Sequence, residues 1–223
     1  MKYEENCGGG ETVVLTKKDR LDSVPESHRH LLTPELALAF KDPVEYFQVI
    51  AQRCSFPEMK RWLLQLLAKP KWKLRLNMCN PDYGDWSLAG FEWSAKGVRG
   101  ATIALPRPSS FVLPKTLQSY YALVDTVHFT EFGGAGGLYG VESLKRLTEI
   151  VGELSEVDQA DEVYVWGSSG CGDMLVFTMD DRGGWFEHET GGIQWIGSLA
   201  ETMDWIYAEL LANREPERDS RTF

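Results

Sequence analysis

Residues 163–196 read VYVWGSSGCGDMLVFTMDDRGGWFEHETGGIQWI, and the fold turns on them. Four apolar runs, Val163–Trp166, Met174–Met179, Trp185–His188 and Ile193–Ile196, alternate with turns at Gly167–Gly172, Asp180–Gly184 and Thr190–Gly192. Turns this short join antiparallel neighbours, because a parallel crossover needs a dozen or more residues. The stretch therefore predicts a four-stranded antiparallel meander. Ser198-Leu-Ala-Glu201 follows directly and has the form of a capping box, in which the two side chains satisfy opposite backbone donors. Leu199, Met203, Ile206, Tyr207, Leu210 and Leu211 then recur at helical spacing on one face.

Upstream of the meander, Leu113-Pro114 opens a helix whose Leu117, Tyr120, Tyr121 and Val124 form one face. Val127–Phe132 is a short apolar segment that runs into Gly133–Gly137, and Val141, Leu144, Leu147 and Ile150 predict another helix. Trp72–Asn77 alternates apolar and polar residues, as a half-buried strand does. Asn80–Asp85 is a turn cluster, Phe91–Trp93 and Val98–Leu105 read as strands, and Pro106 and Pro108 mark a linker.

Nearer the N-terminus, Thr33-Pro34 supplies an N-cap with proline at the first helical position. Asp42-Pro43 interrupts or restarts the helix carrying Phe40, Val44, Phe47 and Ile50. Ser55-Phe56-Pro57-Glu58 reads as a second capping box. Met59, Trp62, Leu63, Leu66 and Leu67 form an apolar stripe behind it, and Pro70 ends that helix. Residues 1–30 read as loosely structured, with a flexible break at Gly8–Gly10. The element order predicts an α+β fold: a twisted antiparallel sheet with helices packed on one face, plus an N-terminal helical extension. The implied boundaries are an extension over 1–70, an α+β domain over 71–213 and a flexible tail over 214–223.

The whole chain has 223 residues, 43% of them hydrophobic, which excludes a disordered protein. Its apolar runs fall short of the ~20 residues needed to span a bilayer. MKYEENCGGGE at the start lacks the apolar region of a secretory signal, so the expectation is a cytoplasmic protein. Cys7, Cys54, Cys79 and Cys171 form no C-x-x-C pair, which argues for reduced thiols rather than a zinc site or a disulfide framework. The formal net charge is −10 and unevenly spread. Residues 1–100 hold 15 Lys/Arg against 13 Asp/Glu, whereas residues 101–223 hold 8 against 20. The second half repels nucleic acid and anionic membranes and would attract a basic partner; the alternative is that the acidic surface only keeps the protein soluble.

Three constellations invite chemistry. Gly134, Gly136 and Gly140 follow a short strand, but Tyr139 stands where a dinucleotide fingerprint needs its third glycine, and no Walker lysine follows. A glycine-rich turn is the stronger reading. Gly167-Ser-Ser-Gly-Cys-Gly172 resembles a nucleophile elbow only until Cys171, where that motif needs glycine. Cys171 as a nucleophile requires a histidine, and His188 is the candidate in this half; a tight turn with a small thiol outweighs it. For metal, His28-Arg-His30 lacks a third ligand nearby, and Asp173, Asp180, Asp181 and His188 around the meander read better as acidic turns. Paired carboxylates for glycoside hydrolysis remain compatible with the residue types alone. Trp62, Trp72 and Trp166 sit in core patterns, whereas Trp86, Trp93, Trp185 and Trp195 lie in turn-rich strands where a few serve as partner anchors.

The second half resembles the SUKH superfamily, the Smi/Knr-like proteins. The likeness rests on Leu113-Pro114 opening a helix, and on Val163-Tyr-Val-Trp-Gly-Ser-Ser-Gly-Cys-Gly-Asp173 leading into Met-Leu-Val-Phe. Asp180-Asp-Arg-Gly-Gly-Trp-Phe-Glu-His188 and the helix from Leu199 to Leu211 complete it. It covers about residues 111–212. The stretch before residue 70 and a missing asparagine-glycine after the first core helix depart from the pattern. The resemblance implies a bacterial immunity protein that binds and neutralises a toxin, often a nuclease; fungal members act in cell-wall signalling. It carries no catalytic residue, cofactor or metal. An acidic face suits a basic toxin, because it steers the encounter and competes with phosphate. The expected partner surface is Asp173, Asp180, Asp181, Glu187 and Glu189 with Trp185. A regulatory scaffold of the same fold is the alternative, and a nucleotide-binding enzyme built on the glycine turns is a weaker one.

Overall fold

A computed structural model of the chain describes residues 1–5, 10–68, 70–78, 87–95, 98–129, 136–152, 160–169 and 172–212. Cys7, Cys79, Cys171, Trp86, Gly134, the Asn80–Asp85 turn and the tail from Asn213 lie outside them. The meander forms as its turns demand. Strands β9 (Val163–Ser168), β10 (Met174–Thr178), β11 (Arg182–Glu187) and β12 (Gly192–Ser198) pair in sequence, all antiparallel. Helix α7 (Leu199–Leu211) starts on the predicted capping box. The Ser198 hydroxyl oxygen accepts from the Glu201 N–H at 3.3 Å, and the Glu201 carboxylate accepts from the Ser198 N–H at 2.8 Å. The Ser198 hydroxyl also donates to that carboxylate at 2.8 Å, and the Ser198 N–H and hydroxyl together hold the Glu201 carboxyl below its usual range.

The sheet does not stop at the meander. Strands β1 (Lys2–Glu5), β2 (Glu11–Leu15), β3 (Lys71–Met78), β4 (Ser87–Ala95), β5 (Val98–Ala104), β6 (Val127–Phe129) and β7 (Gly137–Leu138) pair in that order, and β7 joins β9. Strand β8 (Lys145–Arg146) also pairs with β9, so β7 and β8 share one edge of it. Every pairing is antiparallel. The result is one antiparallel sheet of 12 strands among the described residues.

Alternation along the strands sorts side chains to two faces. One face carries Leu74, Leu76, Phe91, Trp93, Ile103, Val127, Phe129, Trp166, Leu175 and Phe177, all in the main core. Helices α3 (Pro43–Arg53), α4 (Pro57–Ala68) and α7 cover it. Phe47 of α3 meets Trp93 edge-on at 5.0 Å, and Trp62 of α4 lies 5.2 Å from Tyr207 of α7. Burying one such large side chain contributes about 1.5–3 kcal/mol. The opposite face of the meander carries a smaller cluster of Val163, Val165, Val176 and Phe186, closed by Leu147 of the short helix α6 (Leu147–Val151).

The early helices obey their punctuation, with one change. Helix α2 (Pro34–Lys41) is capped by Thr33, whose hydroxyl accepts from the Leu36 N–H at 3.1 Å. Asp42 ends α2 and caps α3 by accepting from the Glu45 N–H at 3.0 Å, so the Asp42-Pro43 pair restarts the helix. The predicted box at Ser55 and Glu58 does not form. Helix α4 begins at Pro57, one residue too late for it. The Glu58 carboxylate accepts from Arg61, and the Glu58 N–H donates at 3.3 Å to Asp204 of α7, 146 residues away.

Two further expectations change. The described part of residues 1–30 is not loose: β1 and β2 extend the sheet, and the short helix α1 (Glu26–Arg29) follows, while Gly8 and Gly9 of the expected break lie outside it. Thr12–Leu15 is too short a run to declare itself, but β3 offers it a ladder. The helix predicted from Val141 onward is a 3₁₀ turn over Val141–Ser143, then β8, then α6. Val141, Leu144 and Leu147 are buried as their spacing implied, while Ile150 is exposed. The ladder offered by β9 draws Lys145 and Arg146 out of helical geometry. The sheet and the main core both run across residue 70: β2 pairs with β3, and apolar residues from Val13 to Leu210 share one cluster.

Candidate functional site

The residues expected to form a partner surface sit on the meander, but they divide between its two ends. The β10–β11 turn carries Asp180 and Asp181, and the far end of β11 carries Glu187 and Glu189. A six-residue strand between them spans roughly 17 Å.

At the far end, Asp173 lies behind the surface, 4% exposed. Its Oδ1 accepts the His188 backbone N–H at 3.2 Å and pairs with His188 Nδ1 at 2.8 Å. Its backbone oxygen accepts the Ser169 N–H at 2.8 Å. Gly172, at φ +98°, packs against the His188 ring, where a Cβ would come within 3.2 Å of it. Asp173 therefore ties the β9–β10 turn to the end of β11, and its position corrects the expectation of a surface contact. A carboxylate placed just before an apolar strand satisfies that turn from inside. Glu187 is partly exposed and accepts from the Thr190 hydroxyl at 3.1 Å, and Glu189 faces solvent.

Trp185 is also corrected. Its indole is 7% exposed and meets Trp205 of α7 at 5.9 Å, so it anchors the helix rather than a partner. Strand alternation places Trp185 on the α7 side. Its glycine neighbours let the helix come close: a Cβ on Gly183 would collide with the Thr202 hydroxyl. Trp93 is core too, whereas Trp72, Trp195 and Trp205 are half-buried.

At the near end, Asp180 is exposed and accepts from the Thr178 hydroxyl. Asp181 adopts φ 71°, a left-handed conformation that aspartate tolerates better than most residues. Its Oδ2 accepts from Thr116 at 3.0 Å, and its backbone oxygen accepts the Leu199 N–H at 2.8 Å. Asp181 thus joins the turn to α7 and to α5 (Lys115–Tyr121). The segment before α5 lies along the same end: Phe111 packs edge-on to Tyr164 at 5.7 Å, and Tyr164 stacks on Phe177 at 5.4 Å. Val112 beside it is 80% exposed, and Met179 in the turn is 42% exposed. The near end therefore presents apolar surface next to the Asp180 carboxylate.

One buried carboxylate escaped the sequence reading. Asp125, 2% exposed, accepts the Val141 N–H at 2.9 Å and pairs with Arg107 at 3.1 Å. No motif marks it. A Cβ on Gly140 would come within 2.7 Å of this carboxylate, and one on Gly137 would strike the Val127 carbonyl. These two glycines permit close backbone approach, and a 3₁₀ turn rather than a phosphate-binding helix follows them. His28 is fully buried between the Ser27 hydroxyl and the Glu11 carbonyl, while His30 is exposed, so the two do not converge. Cys54 is a buried free thiol, pushed up by burial. Among the described residues no group of three or more His, Cys, Asp or Glu side chains is placed to hold a metal ion. No helix among them is long and apolar enough to cross a membrane. No family model, curated protein or solved structure matches the chain.

Proposed function

We propose that this chain is a cytoplasmic protein-binding module of the Smi/Knr-like type, an immunity protein that neutralises a basic toxin by direct contact. The observation that carries the reading is the near end of the meander. Exposed Met179 adjoins Asp180 in the β10–β11 turn, and exposed Val112 follows Phe111, which packs on Tyr164 of β9, in the half of the chain with 20 Asp/Glu against 8 Lys/Arg. An apolar centre with a charged rim is how protein interfaces are built. The acidic surroundings accelerate encounter with a basic partner and disfavour phosphate polymers. The proposed surface is Met179, Asp180 and Val112, with Glu187 and Glu189 contributing field from the far end. Asp181 ties the near-end turn to α5 and α7, and Asp173 and Trp185 hold the far end and β11 from behind.

The test is capture of a secreted toxin encoded beside this chain's gene, followed by kinetics on Asp180→Lys and Met179→Ser. Asp180→Lys should slow association about ten-fold at low salt and flatten its salt dependence. Met179→Ser should act mainly on dissociation. Binding that neither variant alters would remove the near end from the interface, and a neighbouring toxin that does not bind would leave the scaffold reading in its place.

A further inference from the structure

The opposite end of the sheet holds a second feature of opposite charge. The β2–β3 ladder ends at Leu15 opposite Leu74, whereas β3 stays paired with β4 as far as Lys71 opposite Ser94. Residues 71–73 are thus laddered on one side only, and the chain after Leu15 turns away. That turn is locked by Asp19, whose Oδ2 accepts from the Thr16 N–H at 2.8 Å and from its hydroxyl at 2.9 Å. The diverging strands enclose an open cleft of about 450 Å³ lined by Thr16, Lys17, Lys18, Pro70, Lys71 and Trp72.

Among the described residues its lining is one-sided in charge: Lys17, Lys18 and Lys71 are its charged residues, and no carboxylate is among them. In a chain of net charge −10 this makes a local patch of positive potential, which attracts an anion. The nearest acid of the turn, Asp19, is already engaged by the Met1 amino group and by Thr16, which hold its carboxyl down at about 2. It stays ionised and tied into the turn at neutral pH. The unladdered edge of β3 adds backbone polar groups, and Trp72 forms an aromatic wall steadied edge-on by Phe40 at 5.7 Å and Phe91 at 6.0 Å.

The geometry points to a binding site for a small, multiply charged phosphate ester. The volume lies in the range of small-ligand sites, roughly 300–1,000 Å³. Lysines serve phosphate as point charges. The acidic second half disfavours a long nucleic acid as the occupant.

The test titrates the full chain calorimetrically with pyrophosphate and with ATP, at ionic strength held constant with chloride. One saturable site is expected. Lys17→Glu combined with Lys71→Glu should weaken binding about ten-fold or more. Lys145→Glu, at an exposed position of β8, should leave it unchanged, and Lys71→Arg should retain it. An unchanged urea midpoint shows that the variants stay folded. Tighter binding of ATP than of pyrophosphate assigns Trp72 to a ring, and equal binding assigns the site to phosphate alone. The inference falls if neither compound saturates, if Lys145→Glu weakens binding as much as the double variant, or if an oligoglutamate peptide binds more tightly than both.

Discussion

Replacing Asp173 separates a structural lock from a contact surface. The carboxylate is buried and accepts two bonds from His188, one from the backbone N–H at 3.2 Å and one from the ring at 2.8 Å. A hydrogen bond to a charged group contributes roughly 1.5–3 kcal/mol, and the half-open His188 ring puts its share at the low end. Asp173→Ala should therefore cost about 3 kcal/mol. Asp173→Asn keeps an acceptor without the charge and should cost about half as much. His188→Ala keeps the backbone bond, removes the ring contact and should cost about 1.5 kcal/mol. The double variant should fall short of the sum by about the same amount, because one interaction is lost in both singles. At this chain length 1 kcal/mol shifts Tm by roughly 2–4 °C, so Asp173→Ala should lower it by about 6–12 °C. Urea and thermal unfolding of the full chain measure this, with exposed Gln48→Ala as a neutral reference. A fall below about 2 °C for Asp173→Ala, or strict additivity with His188→Ala, would refute the lock and return Asp173 to the surface.

Two further substitutions probe the core and the helix layer. The Tyr207 hydroxyl is buried, lies near that of Tyr120 without hydrogen-bond geometry, and is kept neutral by burial. Tyr207→Phe should leave stability unchanged or raise it by up to about 1 kcal/mol, whereas Tyr121→Phe, which removes the 2.9 Å bond to the Tyr139 carbonyl, should cost about 1 kcal/mol; urea midpoints distinguish the two. Asp204→Ala uncaps α4 from across the core and should cost about 1 kcal/mol by the same measurement, and Asp204→Asn should recover most of it because an amide oxygen still accepts the Glu58 N–H.

The parts of the fold that were legible share one property: their signal is local. The meander shows in turn length and alternation between Val163 and Ile196. Helix α7 shows in its own capping box. The α2–α3 break shows in Asp42-Pro43, because proline constrains its immediate neighbour. The candidate site was half legible. Asp180 and Glu189 fall on turns and Glu187 ends β11 beside one, and turns are exposed. Asp173 and Trp185 have similar surroundings in sequence, yet they turn inward. Nothing near Asp173 says that His188 will come to it, and nothing near Trp185 says that Trp205 will.

By itself, the order of residues determined the antiparallel meander, the helix caps within reach of their own chain and the charge division between the halves. Each depends on interactions spanning a few residues or on simple counting. Only the tertiary structure decided that Thr12–Leu15 is a strand, that Asp204 caps α4, that Val141–Ile150 breaks into a turn, a strand and a short helix, and that Lys17, Lys18 and Lys71 face one cleft. These outcomes depend on partners distant in sequence. A short segment takes the conformation whose backbone groups and apolar side chains find partners, and its own propensities are too small to oppose that.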